Sequence, residues 1–239
     1  MTALDPSLIR GFDLFSALDD DQLRAVLEDA RPRRVGKGAA LFEQGSDAQE
    51  FFVLLDGRLK VVQVTSQGEQ VLVRFALPGE VCGIAIAFKR PDYPASAIAV
   101  VDSLALAWPS ESWDGLCARA PALALNTLRT VGQRLQDAHS RIREISTEQA
   151  ERRVAHALLR LLGQSGQKTA DGIVIAFPLT RQDMADMTGL TLYTVSRIMS
   201  AWDTQGLVQG GRQRILVRDP HRLALIAEGD GQDVGPTAG

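Results

Sequence analysis

Between Thr180 and Val208 the chain reads TRQDMADMTGLTLYTVSRIMSAWDTQGLV, and its polar side chains are spaced to meet the edges of DNA bases. Arg197 carries a planar fork of donors that matches the two major-groove acceptors of guanine. At helical period Tyr193, Thr194, Ser196, Arg197 and Ser200 share one side, while Val195, Ile198, Met199 and Trp202 form an apolar stripe on the other. A helix built this way buries one face and offers the other to a groove. Upstream, Met184, Ala185 and Met187 recur at helical spacing, Thr180 and Thr191 can cap the two helices, and Gly189 permits the turn between them. Next comes LVQGGRQRILVRD, two β-prone runs around a Gly-Gly turn, which reads as a wing carrying Arg212 and Arg214 to the phosphate backbone. An ordinary buried helical hairpin would explain the two amphipathic segments, but not an arginine-bearing wing directly after them. The residues expected at DNA are Thr180, Arg181, Gln182, Thr191, Tyr193, Thr194, Ser196, Arg197, Arg212 and Arg214.

The net charge of −3 over 239 residues at first argues against a polyanionic partner. The charge is uneven, however. Residues 149–228 carry ten Lys and Arg against seven Asp and Glu, so the basic excess sits where the helix pair does. No Gly-rich phosphate loop, nucleophile elbow or paired metal-binding histidines occur, so an enzyme is not expected. A protein-docking module in the same place would not need Arg197, Arg212 and Arg214. Cys82 and Cys117 lie far apart with no zinc or paired-thiol spacing, which fits reducing cytoplasm. No signal-peptide pattern or membrane-length apolar run is found, and the polar residues 229–239 read as a disordered tail.

The elements that must position these groups change texture twice. Residues 6–30 have mostly helical spacing, interrupted by the acidic run from Asp19 to Asp21, and form a helical lead-in. Short β-type runs separated by glycine follow, among them FFVLLDGRLKVVQV and GEQVLVRFALPGE, and these predict a barrel or roll. After Pro121, the residues Leu128, Val131, Leu135, Ala138, Ile142 and Ile145 repeat at heptad spacing. Such a narrow stripe is best buried against a second copy of itself, and a homodimer would present two recognition helices to a palindromic site about one DNA turn apart.

In this order the parts resemble the Crp/Fnr superfamily of bacterial transcription regulators, from about Phe12 to Glu228. GAALFEQG, FFVLLDG and LPGEVCG look like the glycine-marked turns of its cyclic-nucleotide-binding-type domain, QRLQDAHSRI resembles its dimerisation helix, and TRQDMADMTGLTLYTVSRIM its winged helix-turn-helix. The resemblance implies a homodimer on a TTG...CAA promoter site, with RNA polymerase as a further partner and base reading at Tyr193, Ser196 and Arg197. Many relatives carry an acid where Tyr193 stands, so discrimination beyond the TTG core is expected to be relaxed.

The departures bear on the effector. Cyclic-nucleotide-binding members keep a Glu and an Arg at positions that here are Ile84 and Ala95, and hydroxyl residues on the dimer helix where Ala138 and His139 stand. A cyclic phosphate would then be left unpaired in an apolar pocket, at a cost of about several kcal/mol, so cyclic AMP is an unexpected ligand. No cysteine precedes Cys82, which excludes the thiolates of the iron-sulfur members. The candidate effector pocket comprises Gly83, Ile84, Ala85, Ala95, Ser96, Ala138 and His139, with PDYPASA closing it. Together with TLYTVSRIMSAW it looks most like the nitric-oxide-responsive branch (NnrR/Dnr type), for which haem is the implied sensor and His139 the iron ligand to test. A hydrogen-bonding helix residue is the plainer role for His139 and core packing for Tyr93, and Cys82, with only Val81 and Gly83 beside it, reads as a structural thiol. An effector-independent or thiol-redox regulator, or a cyclic-nucleotide regulator with an atypical pocket, stays open as an alternative.

The expected fold is therefore α+β. Residues 1–120 form an effector-sensing β-roll (a cyclic-nucleotide-binding-type jelly roll) with its lead-in, 121–148 a dimerisation helix, 149–228 a winged helix-turn-helix and 229–239 the tail.

Overall fold

The computed structural model describes residues 4–211 and 214–229, which gather into two units that divide between Ala138 and His139. The first opens with α1 (Ser7–Arg10), a 3-10 turn at Asp13–Phe15 and α2 (Asp20–Leu27). The acidic run expected to interrupt this lead-in instead starts α2. The Asp19 carboxylate accepts from Gln22 N at 2.8 Å, the Gln22 side chain accepts from Asp19 N at 3.1 Å, and Asp20 and Asp21 occupy the first turn, where the helix dipole favours acids.

Eight strands follow: β1 (Arg31–Val35), β2 (Ala40–Phe42), β3 (Glu50–Asp56), β4 (Leu59–Val64), β5 (Gln70–Ala76), β6 (Val81–Cys82), β7 (Ser96–Ala99) and β8 (Ser103–Pro109). They make two antiparallel sheets, ordered β1-β8-β3-β6 and β2-β7-β4-β5. Strand β3 shows why the run EFFVLLD is apolar throughout. Its side chains alternate, so Phe51 and Val53 enter a core shared with the lead-in helices, while Phe52 and Leu54 enter the space between the sheets. Trp108 stacks on Phe51 at 5.4 Å and donates its indole N–H to Val26 O at 2.7 Å, fastening α2 to the roll. Gly57 turns β3 into β4 at φ +92, and a Cβ there would stand 2.3 Å from Ser103 Oγ. Beyond β8 come α3 (Trp113–Arg119) and α4 (Pro121–Thr147), the latter held to the lead-in by Asn126, which donates to Leu14 O and Ser16 O at 3.0 and 2.9 Å.

The second unit contains the end of α4, then α5 (Ala150–Ser165), β9 (Gly166–Thr169), β10 (Gly172–Ile175), α6 (Arg181–Thr188), α7 (Leu192–Thr204), β11 (Val208–Gly211), β12 (Arg214–Val217) and α8 (Pro220–Glu228). Its sheet runs β11-β12-β10-β9, so the wing is half of a four-stranded sheet. The β9–β10 hairpin is not anticipated by the sequence reading, although Asp171-Gly172 before an apolar run is a hairpin signal. Gly172, at φ +140, lies so close to β12 that a Cβ would meet Val217 O at 2.2 Å. Arg212 and the tail beyond residue 229 lie outside the described residues. Among the described residues no helix is long and apolar enough to cross a membrane.

Candidate nucleic-acid interface and effector domain

Local chemistry sets the helix pair. Thr180 Oγ1 accepts from Asp183 N at 3.0 Å while Asp183 Oδ2 accepts from Thr180 N at 3.0 Å, a reciprocal cap that starts α6. Gly189, at φ +63, ends α6 by donating to Ala185 O. Thr191 Oγ1 accepts from Thr194 N at 3.1 Å and starts α7. Met184, Ala185 and Met187 of α6 and Val195, Ile198, Met199 and Trp202 of α7 are buried, and the Trp202 indole donates to Glu151 Oε1 at 2.7 Å, tying α7 to α5.

The face left outward carries the candidate readers. Tyr193 is 77% exposed, Arg197 and Ser200 are exposed, and Thr194 and Ser196 are half-buried. Leu192, absent from the expected set, joins them at 46% exposure. Its place outside the Val195–Trp202 stripe was the available signal. Arg181 and Gln182 are exposed on α6; Gln182 is held by Asp186 Oδ1 at 2.6 Å, and Arg181 Nη2 lies 3.9 Å from where a Cβ on Gly210 of the wing would stand. Arg214, exposed, pairs with Gly211 across the wing. Arg218 was also missed. It is exposed at the wing base, where it donates to Gln209 Oε1 at 2.8 Å. The arrangement brings α6, the outer face of α7 and the wing into one unit with cations on each, which can grip phosphates while α7 meets bases.

The seam residues divide. Leu128, Leu135 and Ile142 are exposed and Ala138 is too, but Val131 packs on the core of the roll. Ile145 is 49% exposed, with its Cδ1 3.8 Å from where a Cβ on Gly189 would lie. Within the heptad Val131 is thus spent on the chain's own core while the other five positions are exposed, a distinction that spacing alone does not carry.

In the roll, the expected apolar pocket around Gly83 is closed by packing. Gly83 (φ +69) starts a 3-10 turn at Ile84–Phe88, and Ile84, Ala85 and Ala95 are buried. A Cβ on Gly83 would stand 3.1–3.3 Å from Tyr93, Phe52 and Phe42, and Tyr93 stacks on Phe42 at 4.4 Å. The Tyr93 hydroxyl donates to Glu50 O at 2.7 Å, and burial raises its pKa. Ser96 lines a shallower cavity of about 460 Å³ with Ala40, Glu43, Gln44, Gly45, Val64 and Ile98, and its hydroxyl accepts from Gln44 N at 2.9 Å. Ala138 and His139 are exposed on α4.

Cys82 is buried as expected, but not without cations. Arg74 Nη2 lies 3.8 Å from its Sγ, and Arg74 and Arg134 share Glu80 as a carboxylate partner. Arg134 donates to Val81 O at 2.7 Å, and its pKa is lowered by burial and then by Arg74. These charges arrive from β5, eight residues before Cys82, and from α4, more distant in sequence. No group of three or more metal-ligating side chains occurs among the described residues.

Two family descriptions match the chain: a cyclic nucleotide-binding domain over residues 32–120 and a Crp-like helix-turn-helix domain over residues 152–226. The chain is 29% identical over 221 residues to the cyclic AMP receptor protein of Thermus thermophilus, covering 92% of this chain and 99% of that protein. It is 26% identical to the transcriptional activator protein FnrA of Stutzerimonas stutzeri, covering 88% of this chain and 85% of that one. Among solved structures it is similar to FixK2 from Bradyrhizobium japonicum, with a TM-score of 0.71 and 25% identity over 82% of this chain and 96% of that one.

Proposed function

The chain belongs to the Crp/Fnr family of DNA-binding transcription regulators, and from that premise we propose that it binds a palindromic TTG...CAA promoter site as a homodimer, under control of an effector other than cyclic AMP. The observation that carries the reading is the outward face of α7, where Tyr193, Ser196 and Arg197 stand opposite the buried Val195, Ile198, Met199 and Trp202. Two copies joined through the exposed Leu128, Leu135 and Ile142 present two such faces, and RNA polymerase is the partner on which a promoter-bound dimer acts. The test is binding to a palindromic TTG...CAA duplex and to a scrambled duplex across a salt series. Sequence-independent, salt-sensitive binding alone would refute it.

For the effector, Ile84 and Ala95 supply no carboxylate for a ribose and no guanidinium for a cyclic phosphate, so a small uncharged signal is the reading favoured here. Nitric oxide taken up by haem is the specific form that the family resemblance implies. The residues present do not fit a haem inside the roll. Phe42, Phe52 and Tyr93 fill the space beside Gly83, the cavity beside Ser96 is lined by neither His nor Cys, and His139 is an exposed helix residue. The same aromatic packing favours a second reading, a regulator of this fold whose roll needs no ligand. Calorimetry with cyclic AMP, together with the Soret absorption after incubation with haem and its change with nitric oxide, separates these cases: cyclic AMP binding that strengthens operator affinity would overturn the effector reading, and a nitric-oxide-sensitive Soret band would restore haem.

A further inference from the structure

Helix α4 leaves Leu125, Leu128, Leu135 and Ile142 in the open, at 57%, 67%, 56% and 62% exposure. Leu125 precedes the Leu128–Ile145 series, whereas Val131, a member of it, packs on the core of the roll. The open face therefore lies on the Leu125 side of the Leu128–Leu135–Ile142 line, away from Val131. At heptad spacing after Leu125 stand Gly132 and His139, both exposed. A Cβ on Gly132 would meet nothing within 4 Å among the described residues, and a residue without a side chain lets another backbone come close.

A parallel two-stranded seam sets equivalent core positions opposite one another across the two-fold axis. With Leu125, Gly132 and His139 as one core series and Leu128, Leu135 and Ile142 as the other, the pair formed at position 139 is two imidazoles. Neutral imidazoles suit that contact, since the N–H of one ring can donate to the bare nitrogen of the other. Two imidazolium ions repel, and burial between the helices penalises their charge further. The positions flanking His139 in the heptad are Gln136, Ala138, Arg143 and Ile145. The charge beside each imidazole is thus a further cation, Arg143, and no carboxylate among them offsets a proton.

Resting on the homodimer reading, we propose that His139 meets the partner's His139 on the dimer axis and makes the pairing of the two copies sensitive to protonation. Pairing is intact where the imidazoles are neutral. It weakens as pH falls through the range in which an imidazole gains its proton, about pH 8 to 5. Operator binding, which engages both copies at once, falls with it.

The test uses the full chain. Sedimentation at about pH 7.5 and about pH 5.5 should show the dimer dissociation constant rising about tenfold or more at the lower pH, the scale of a close like-charge pair near a protein surface. His139→Gln keeps a polar side chain of similar reach without the proton, and should hold the constant within about twofold across the same interval. Register is read separately by disulfide formation, in a chain carrying Cys82→Ala and Cys117→Ala. There His139→Cys should cross-link two copies on mild oxidation, and Ala138→Cys, one position off the axis, should do so poorly. An equal fall in pairing for His139→Gln, or cross-linking through Ala138→Cys in place of His139→Cys, overturns the proposal. A chain that is monomeric at neutral pH would instead remove the homodimer reading beneath it.

Discussion

Arg160 of α5 donates from Nη1 to Glu144 Oε1 at 2.6 Å, and the Glu144 side chain is only 9% exposed. The last turns of α4 are thereby clasped to the first helix of the DNA-binding unit. One turn later Glu148 of the same region also faces α5, its Oε2 3.2 Å from His156 Nε2.

Removing half of the buried pair should unfasten that clasp. Glu144→Ala is expected to destabilise the second unit by about 1–3 kcal/mol, the scale of a charged hydrogen bond left unmade. Urea unfolding followed through the fluorescence of Trp202, in a chain with Trp108 and Trp113 replaced by Phe, reads it. A much smaller loss when Arg160→Ala is added first would mark the two residues as coupled, and equal losses in both backgrounds would show that they are not.

Charge on the exposed seam should separate the copies without unfolding them. Leu135 and Ile142 are 56% and 62% exposed, so Leu135→Glu with Ile142→Lys removes little core. Monomers by sedimentation, with unchanged circular dichroism and operator affinity reduced by about a hundredfold or more, are expected from the loss of bivalency. A persisting dimer would move the interface elsewhere.

Arg197→Ala should cost about 1–3 kcal/mol on the operator and flatten preference at the guanine. By contrast, Arg214→Ala should weaken specific and random duplexes alike and lower the salt slope by about 1. Identical behaviour of the two variants would contradict the division into base reading and phosphate grip.

The buried phenol of Tyr93 gives a pH signature. Burial raises its pKa in the folded protein above the ordinary value, so the unfolded chain ionises first on the alkaline side. The stabilisation is therefore fully present below about pH 10 and is lost as pH rises toward the folded pKa. Tyr93→Phe should cost about 1 kcal/mol at neutral pH through the lost hydrogen bond and reduce the alkaline fall in stability. An equally steep fall in the variant would assign it to other groups.

What could be read before folding was what neighbours decide. Thr180, Gly189 and Thr191 act on backbone groups within four residues, so helix, turn and helix were legible, as was the outward side of α7. The wing at Gly210 and Gly211 was legible for the same reason. Strand β9, GQKT, has no apolar alternation and is held by pairing with β10, so its pattern carried no strand signal. The roll interior was legible only in part, because composition cannot tell a lined cavity, such as the one at Ser96, from filled space, such as that beside Gly83. Phe42, Phe52 and Tyr93 meet beside Gly83 only through tertiary packing, and Arg74 reaches Cys82 in the same way.

The contact between Ile145 and the turn at Gly189 has a consequence for promoter architecture. In the proposed homodimer Ile142 of the seam and the reading motif belong to the same unit, so the way two copies of α4 pair would set the distance between the two reading motifs. An operator with one base pair inserted between its half-sites is out of phase by about 35°, and a braced molecule has little slack to follow it. The mismatch falls on the DNA, which must untwist to be bound at all. If the proposed dimer holds, promoters served by this protein are expected to be constrained in their spacing as well as in their letters.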